Sequence, residues 1–141
     1  MTVLKRFRTP SKLEFFVNAQ RLRKEVFNLM LRDFGFKDTF PEWVKDNLRK
    51  SFWNITENLV LNITFANSIY PKNKSEANER RLFQDKAIGN CEQVLKTLEF
   101  ICDILPCKSQ GYLLISDIAI REQALIKAWR KSDNKRFAEL S

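Results

Sequence analysis

The residues best placed to do chemistry in this chain are bases, and they come in clusters: Lys5-Arg6 with Arg8 and Lys12, Lys72 with Lys74, Arg80-Arg81, Lys127 with Arg130-Lys131, and Lys135-Arg136. Such side chains neutralise phosphates and release counterions, which is binding chemistry without sequence readout. An acidic protein surface would be served equally well by the same charges. The groups needed for turnover are scarce. The chain has no histidine, so the usual general base and metal ligand is missing. No G-x-S-x-G, phosphate-binding glycine loop or H-E-x-x-H occurs. The carboxylates are dispersed and mostly followed by Lys or Arg at the spacings of solvated helix faces. Cys91, Cys102 and Cys107 include no Cys-x-x-Cys pair. Cys91 and Cys102, three helical turns apart on one face, read as small buried hydrophobes. The expectation is a binding protein, not an enzyme, with no metal and no cofactor.

The elements that must position these bases are long. A chain of 141 residues suits one domain, and its 44% apolar and 30% charged content is globular. Only 3 Gly and 4 Pro are present, too few for the frequent turns of a sandwich or barrel. Four helical segments emerge from the apolar spacing. The first opens at a capping box, Ser11-x-x-Glu14, runs through Phe16, Ala19, Leu22, Val26, Leu29 and Met30, and stops near Phe34-Gly35. The second opens at Thr39-x-x-Glu42 and carries Val44, Leu48, Phe52, Ile55, Leu59, Ile63, Ala66 and Ile69 as far as Pro71. It spans roughly 28 residues, about 42 Å. The third starts near Asn73 to Ser75 and holds Ala77, Gln84, Ile88, Cys91, Leu95, Leu98 and Cys102 up to Leu105-Pro106. Gly89 within it costs about 1 kcal/mol relative to alanine, which a close helix approach would explain. The fourth follows Ser109 with Ile115, Ile118, Ala119, Leu125, Ile126 and Trp129. The acceptor patterns Asn54-Ile-Thr56 and Asn62-Ile-Thr64 read as ordinary helix residues.

Short connections favour antiparallel neighbours, hence an all-α, up-down antiparallel four-helix bundle. Residues 1–10 form a basic arm, 11–131 the bundle, and 132–141 a basic polar tail with Phe137 and Leu140 as anchors. No apolar run is long enough for a transmembrane helix, and Met1 to Arg8 lacks the apolar core of a signal peptide, so a cytoplasmic protein without membrane association is expected.

In that topology the start of helix one, the loop between helices two and three, and the end of helix four share one end. Thirteen bases collect there: Lys5, Arg6, Arg8, Lys12, Lys72, Lys74, Arg80, Arg81, Lys127, Arg130, Lys131, Lys135 and Arg136. Against them stand five acids, Glu14, Glu76, Glu79, Asp133 and Glu139, a surplus of eight that equals the whole net charge of +8. Arg80 points toward the core stripe and is expected to pair with Glu14 or Glu76. Arg81, Lys72 and Lys74 are better placed for a partner. Tyr70 reads as a helix-end packing residue, although it could also stack on a base. Helices two and four carry more apolar surface than one core needs. Trp53 and Val60 fall opposite the main stripe of helix two, with Trp43, Leu61 and Phe65 at its edge. Leu113, Ile120 and Ala124 line up away from Ile118 and Leu125. Aligned apolar residues of this kind mark self-association, and Trp53, Val60, Leu113 and Ile120 are the interface candidates.

Three stretches together carry a resemblance. They are Pro10-Ser11-Lys12-Leu13-Glu14-Phe15-Phe16 with Asn18-Ala19; Ala66-Asn67-Ser68-Ile69-Tyr70-Pro71 followed by Asn73, Glu76, Arg80 and Arg81; and Lys131-Ser132-Asp133 with Arg136-Phe137. They resemble the four-helix-bundle accessory variability proteins of diversity-generating retroelements, a group related to bundle proteins encoded within ribosomal-RNA intervening sequences. The likeness spans nearly the whole chain and is most specific from the end of helix two through Arg81. It implies a homopentameric barrel of bundles with a basic surface. It also implies association with a reverse transcriptase and with RNA or DNA, in support of copying template RNA into mutagenised cDNA. The expected contact residues for nucleic acid or partner are Lys5, Arg6, Arg8, Lys12, Lys72, Lys74, Arg81, Arg130, Lys131, Lys135 and Arg136. Membership of the intervening-sequence group would instead imply an oligomeric protein scaffold with no reverse-transcriptase role.

Overall fold

The computed structural model describes residues 10–32, 41–104 and 110–141, with side chains from residue 14 in the first of these and from 111 in the last. Four helices result: α1 (Pro10–Leu31), α2 (Glu42–Ser68), α3 (Lys74–Ile104) and α4 (Gln110–Arg136). The order of contacts along each seam gives their directions. Phe15 meets Trp129 while Asn18, further along α1, meets Ile118 and Glu122, earlier in α4. Phe65 meets Phe83 and Asn62 meets Asn90. Arg80 meets Asp133 and Glu92 meets Gln123. Each of these seams runs antiparallel, and α1 also packs on α2, which closes the four-helix bundle.

The core follows the apolar period. α1 contributes Phe15, Ala19, Leu22, Val26 and Leu29, α2 contributes Leu48, Phe52, Ile55, Leu59 and Ile63, and α4 contributes Tyr112, Ile115, Ala119 and Ile126. In α3 the buried line is Ala87, Cys91, Val94, Leu98 and Ile101. Ile88 and Leu95, expected on that line, sit at its edge. Burying one large apolar side chain contributes about 1.5–3 kcal/mol, so these rows supply most of the drive to fold. Both acceptor-like tripeptides lie inside α2: Thr56 is buried with its hydroxyl donating to the Phe52 carbonyl at 2.9 Å, and Thr64 bonds Val60 in the same way.

Several local expectations need correcting. Pro41, in extended backbone, is the N-cap of α2; Thr39, expected to open the capping box, lies outside the described residues. Glu42 instead reaches forward to Lys45 at 3.1 Å. The end expected near Phe34-Gly35 comes at Leu31, and Gly35 is outside the described residues. Cys102 is exposed, because the α3 core line at that level runs through Leu98 and Ile101. No atom approaches the place a Cβ would take on Gly89, so no close helix approach accounts for it. The α4 helix does not give way to a tail at Lys131 but continues to Arg136. The reason is Asp133, which sits one turn beyond Trp129 on the buried face and is held there by α3.

Candidate nucleic-acid interface

The basic end is organised around one buried ion pair. Arg80 rises from the second turn of α3, a helix that starts where Asn73 and Glu76 cap it: the Asn73 side-chain oxygen accepts from the Glu76 N–H at 2.9 Å, and Glu76 accepts from the Lys72 N–H at 2.8 Å. From there Arg80 Nε donates to Asp133 Oδ2 at 2.7 Å and Nη2 to Oδ1 at 3.3 Å. Nη1 donates to the Ile69 carbonyl at 2.8 Å, which secures the chain leaving α2. Gln84 adds a third donor to Asp133 at 2.6 Å. The guanidinium also lies 5.2 Å from the Trp129 ring centre and 5.6 Å from that of Phe137. The Lys74 N–H donates to the Ser141 carbonyl at 3.1 Å, drawing the last residues over α3.

The partner expected for Arg80 was Glu14 or Glu76. Neither fills that role: Glu14 pairs with Arg121, and Glu76 is engaged in capping. Arg80 is therefore neutralised and unavailable to a ligand. Arg130 is half-buried and spoken for by Asp85 at 2.7 Å. Six of the expected contact residues are exposed: Lys72 in the α2–α3 connection, Lys74 and Arg81 on α3, and Lys131, Lys135 and Arg136 at the end of α4. The first five make no ion pair among the described residues, and Arg136 stands 3.8 Å from Asp133. Lys5, Arg6 and Arg8 lie outside the described residues, as does the side chain of Lys12. Tyr70 is not a packing residue; it is 78% exposed, because α2 stops at Ser68 and the chain turns outward before Pro71.

The apolar candidates divide. Leu113 and Ile120 are exposed, at 68% and 54%. Trp53 is 40% exposed, with one side covered by Phe27 and by the Arg23 guanidinium 5.0 Å from its ring. Val60 is half-buried against the core and is not opposite it.

Two titratable groups are strongly perturbed, and both are sealed inside. Glu122 is fully buried; one oxygen accepts from Asn18 at 3.1 Å and the other has no partner among the described residues. Burial pushes its carboxyl up from 4.5 to about 8, against a smaller opposing effect of the Asn18 bond. Cys91 is pushed up by burial and then by the neighbouring Glu122, so it stays a neutral thiol. Neither group opens to a surface where a substrate would meet it. Among the described residues no cluster of three His, Cys, Asp or Glu could hold a metal, and no helix is long and apolar enough to cross a membrane.

The sequence signal for these buried polar groups was present but unread. Asn18, Glu122 and Asp133 fall on the apolar stripes at helical spacing, and a polar residue on a stripe marks a buried hydrogen bond. Compared with known proteins, the chain matches no protein-family model, no curated protein and no solved structure. The end of the bundle thus offers cations without an ion pair among the described residues, near a cleft walled by Phe15 and Trp129.

Proposed function

We propose that this protein is a non-catalytic accessory subunit that binds RNA or DNA, and with it a reverse transcriptase, through the basic end of the bundle. The observation that carries the nucleic-acid part is the convergence of six exposed bases from three chain segments on one end, five of them without an ion pair among the described residues. Cations held on a fixed frame neutralise phosphates with little ordering cost. The reverse-transcriptase part rests on the resemblance of the stretches around Ala66–Arg81, at Pro10–Ala19 and at Lys131–Phe137. The same resemblance, together with the exposed Leu113 and Ile120, supports assembly into a homo-oligomer, taken as a pentamer, acting in the cytoplasm.

The test is binding of the purified protein to RNA and DNA across a salt series, beside the variant Lys72→Glu/Lys74→Glu/Arg81→Glu. The reversal should weaken binding and flatten the log–log salt slope by up to about 3, near 0.9 per lost phosphate contact. Unchanged affinity and slope would remove this face from the interface. Co-purification with a reverse transcriptase encoded beside it, after nuclease treatment, tests the partner. Loss of the polymerase with both proteins folded would favour the scaffold role.

A further inference from the structure

The basic end also holds a cleft of about 660 Å³, within the size range of small-ligand sites. Its inner wall is aromatic and fixed: Phe15 stacks on Trp129 at 4.0 Å, and Arg80, locked by Asp133, covers Trp129. The rim is different. Tyr70 lines the cleft yet presents most of its ring to water and touches no other ring among the described residues. Asn67 and Ser132 line it with side chains that make no hydrogen bond among the described residues, and Arg136 lines it from the end of α4. The cleft thus combines an open π face, an amide with both donors and acceptors, and the Arg136 guanidinium, 3.8 Å from Asp133; the carboxylate that also lines it, Glu14, is paired with Arg121.

These are the needs of an unpaired nucleotide: a ring for the base to stack on, polar groups for its edge, and a cation for its phosphate. A base inside a duplex has both faces covered by its neighbours and cannot use such a ring. Building on the nucleic-acid function above, we propose that this cleft receives one unpaired nucleotide of a single-stranded RNA or DNA, its base on Tyr70, its edge toward Asn67 and its phosphate toward Arg136.

The experiment is fluorescence anisotropy at fixed salt with a labelled oligouridylate, a labelled oligothymidylate and a duplex of equal length, using the full chain and its variants Tyr70→Ala and Tyr70→Phe. Tyr70 is too exposed for these changes to disturb folding, which far-ultraviolet circular dichroism checks. Tyr70→Ala should weaken single-strand binding roughly 5- to 100-fold. Duplex binding and the salt slope should stay as they were, and Tyr70→Phe should restore single-strand affinity. A loss confined to one of the two single strands supports the proposal and assigns the preferred sugar. If wild type binds single strand and duplex alike and Tyr70→Ala changes neither, the cleft proposal is overturned while the charged interface stands. If wild type binds none of the probes, both fall.

Discussion

Glu122 makes the fold sensitive to pH in the direction opposite to most carboxylates. The perturbation is Glu122→Gln, which keeps an oxygen to accept from Asn18 but removes the titrating proton. In the folded wild type the carboxyl is raised to about 8 by burial, whereas in the unfolded chain it ionises near its ordinary 4.5. Between those values the folded state holds a proton that the unfolded state has released, so stability falls as pH rises. It is highest below about 4.5, declines through the window up to about 8, and levels off above it. Integrated from about pH 5 to about pH 9, that linkage amounts to a loss of about 4 kcal/mol. Urea unfolding followed by circular dichroism is the assay; with a slope near 2 kcal/mol/M, the midpoint should drop by about 2 M over that range. The amide introduced by Glu122→Gln stays neutral throughout, so the variant should lack this drop. If wild type and Glu122→Gln lose the same stability between the two pH values, within about 1 kcal/mol, then Glu122 is not held neutral in the core and the reasoning is wrong.

Two further outcomes follow from the structure. Asp133→Ala leaves the buried Arg80 guanidinium and the Gln84 amide without their acceptor, so it should cost about 3–5 kcal/mol and lower the melting temperature by roughly 10–15 °C; a loss under about 1 kcal/mol would mean that water replaces the carboxylate freely. For self-association, light scattering behind size exclusion should give a wild-type mass above the 16.7 kDa of one chain, and Trp53→Glu/Ile120→Glu should bring it down to that value with helicity intact; a wild type already at 16.7 kDa would overturn the interface.

The four helices were legible because apolar residues recur along every one of them and Pro and Gly are rare inside. The gathering of charge at one end was legible for the same reason: an up-down arrangement dictates which termini meet. Which bases are free was legible only in part. Helical spacing separates Arg80, on the core stripe and buried, from its neighbour Arg81, at the flank and exposed. The acceptor of Arg80 was not legible: Asp133 reaches it only because α4 continues past Lys131 and aligns with α3, a relation across 53 residues that no local pattern encodes. Arg130 is claimed by Asp85 across 45 residues in the same way. The outward Tyr70 also escaped a periodic reading, since its position follows from where α2 ends and not from any helix face. Val60 shows the limit of a helical wheel: a side chain at the margin of a stripe can still lean onto the core.

The polar bonds across the seams have a consequence for shapes the chain does not adopt. Asn18 with Glu122 joins α1 to α4, Asn62 with Asn90 joins α2 to α3, and Arg80 with Asp133 joins α3 to α4, each at a single level along the axis. Apolar rows alone would tolerate a slide of one turn, about 5.4 Å, because leucine and isoleucine pack nearly as well one notch along. Such a slide of α4 would separate Asn18 from Glu122 and Arg80 from Asp133 and strand carboxyl groups and a guanidinium in the interior, and a slide of α2 would separate Asn62 from Asn90. Competing alignments are thus rejected at three checkpoints, and the cleft beside Tyr70, whose walls come from all four helices and the turn after α2, inherits a fixed outline from that rejection.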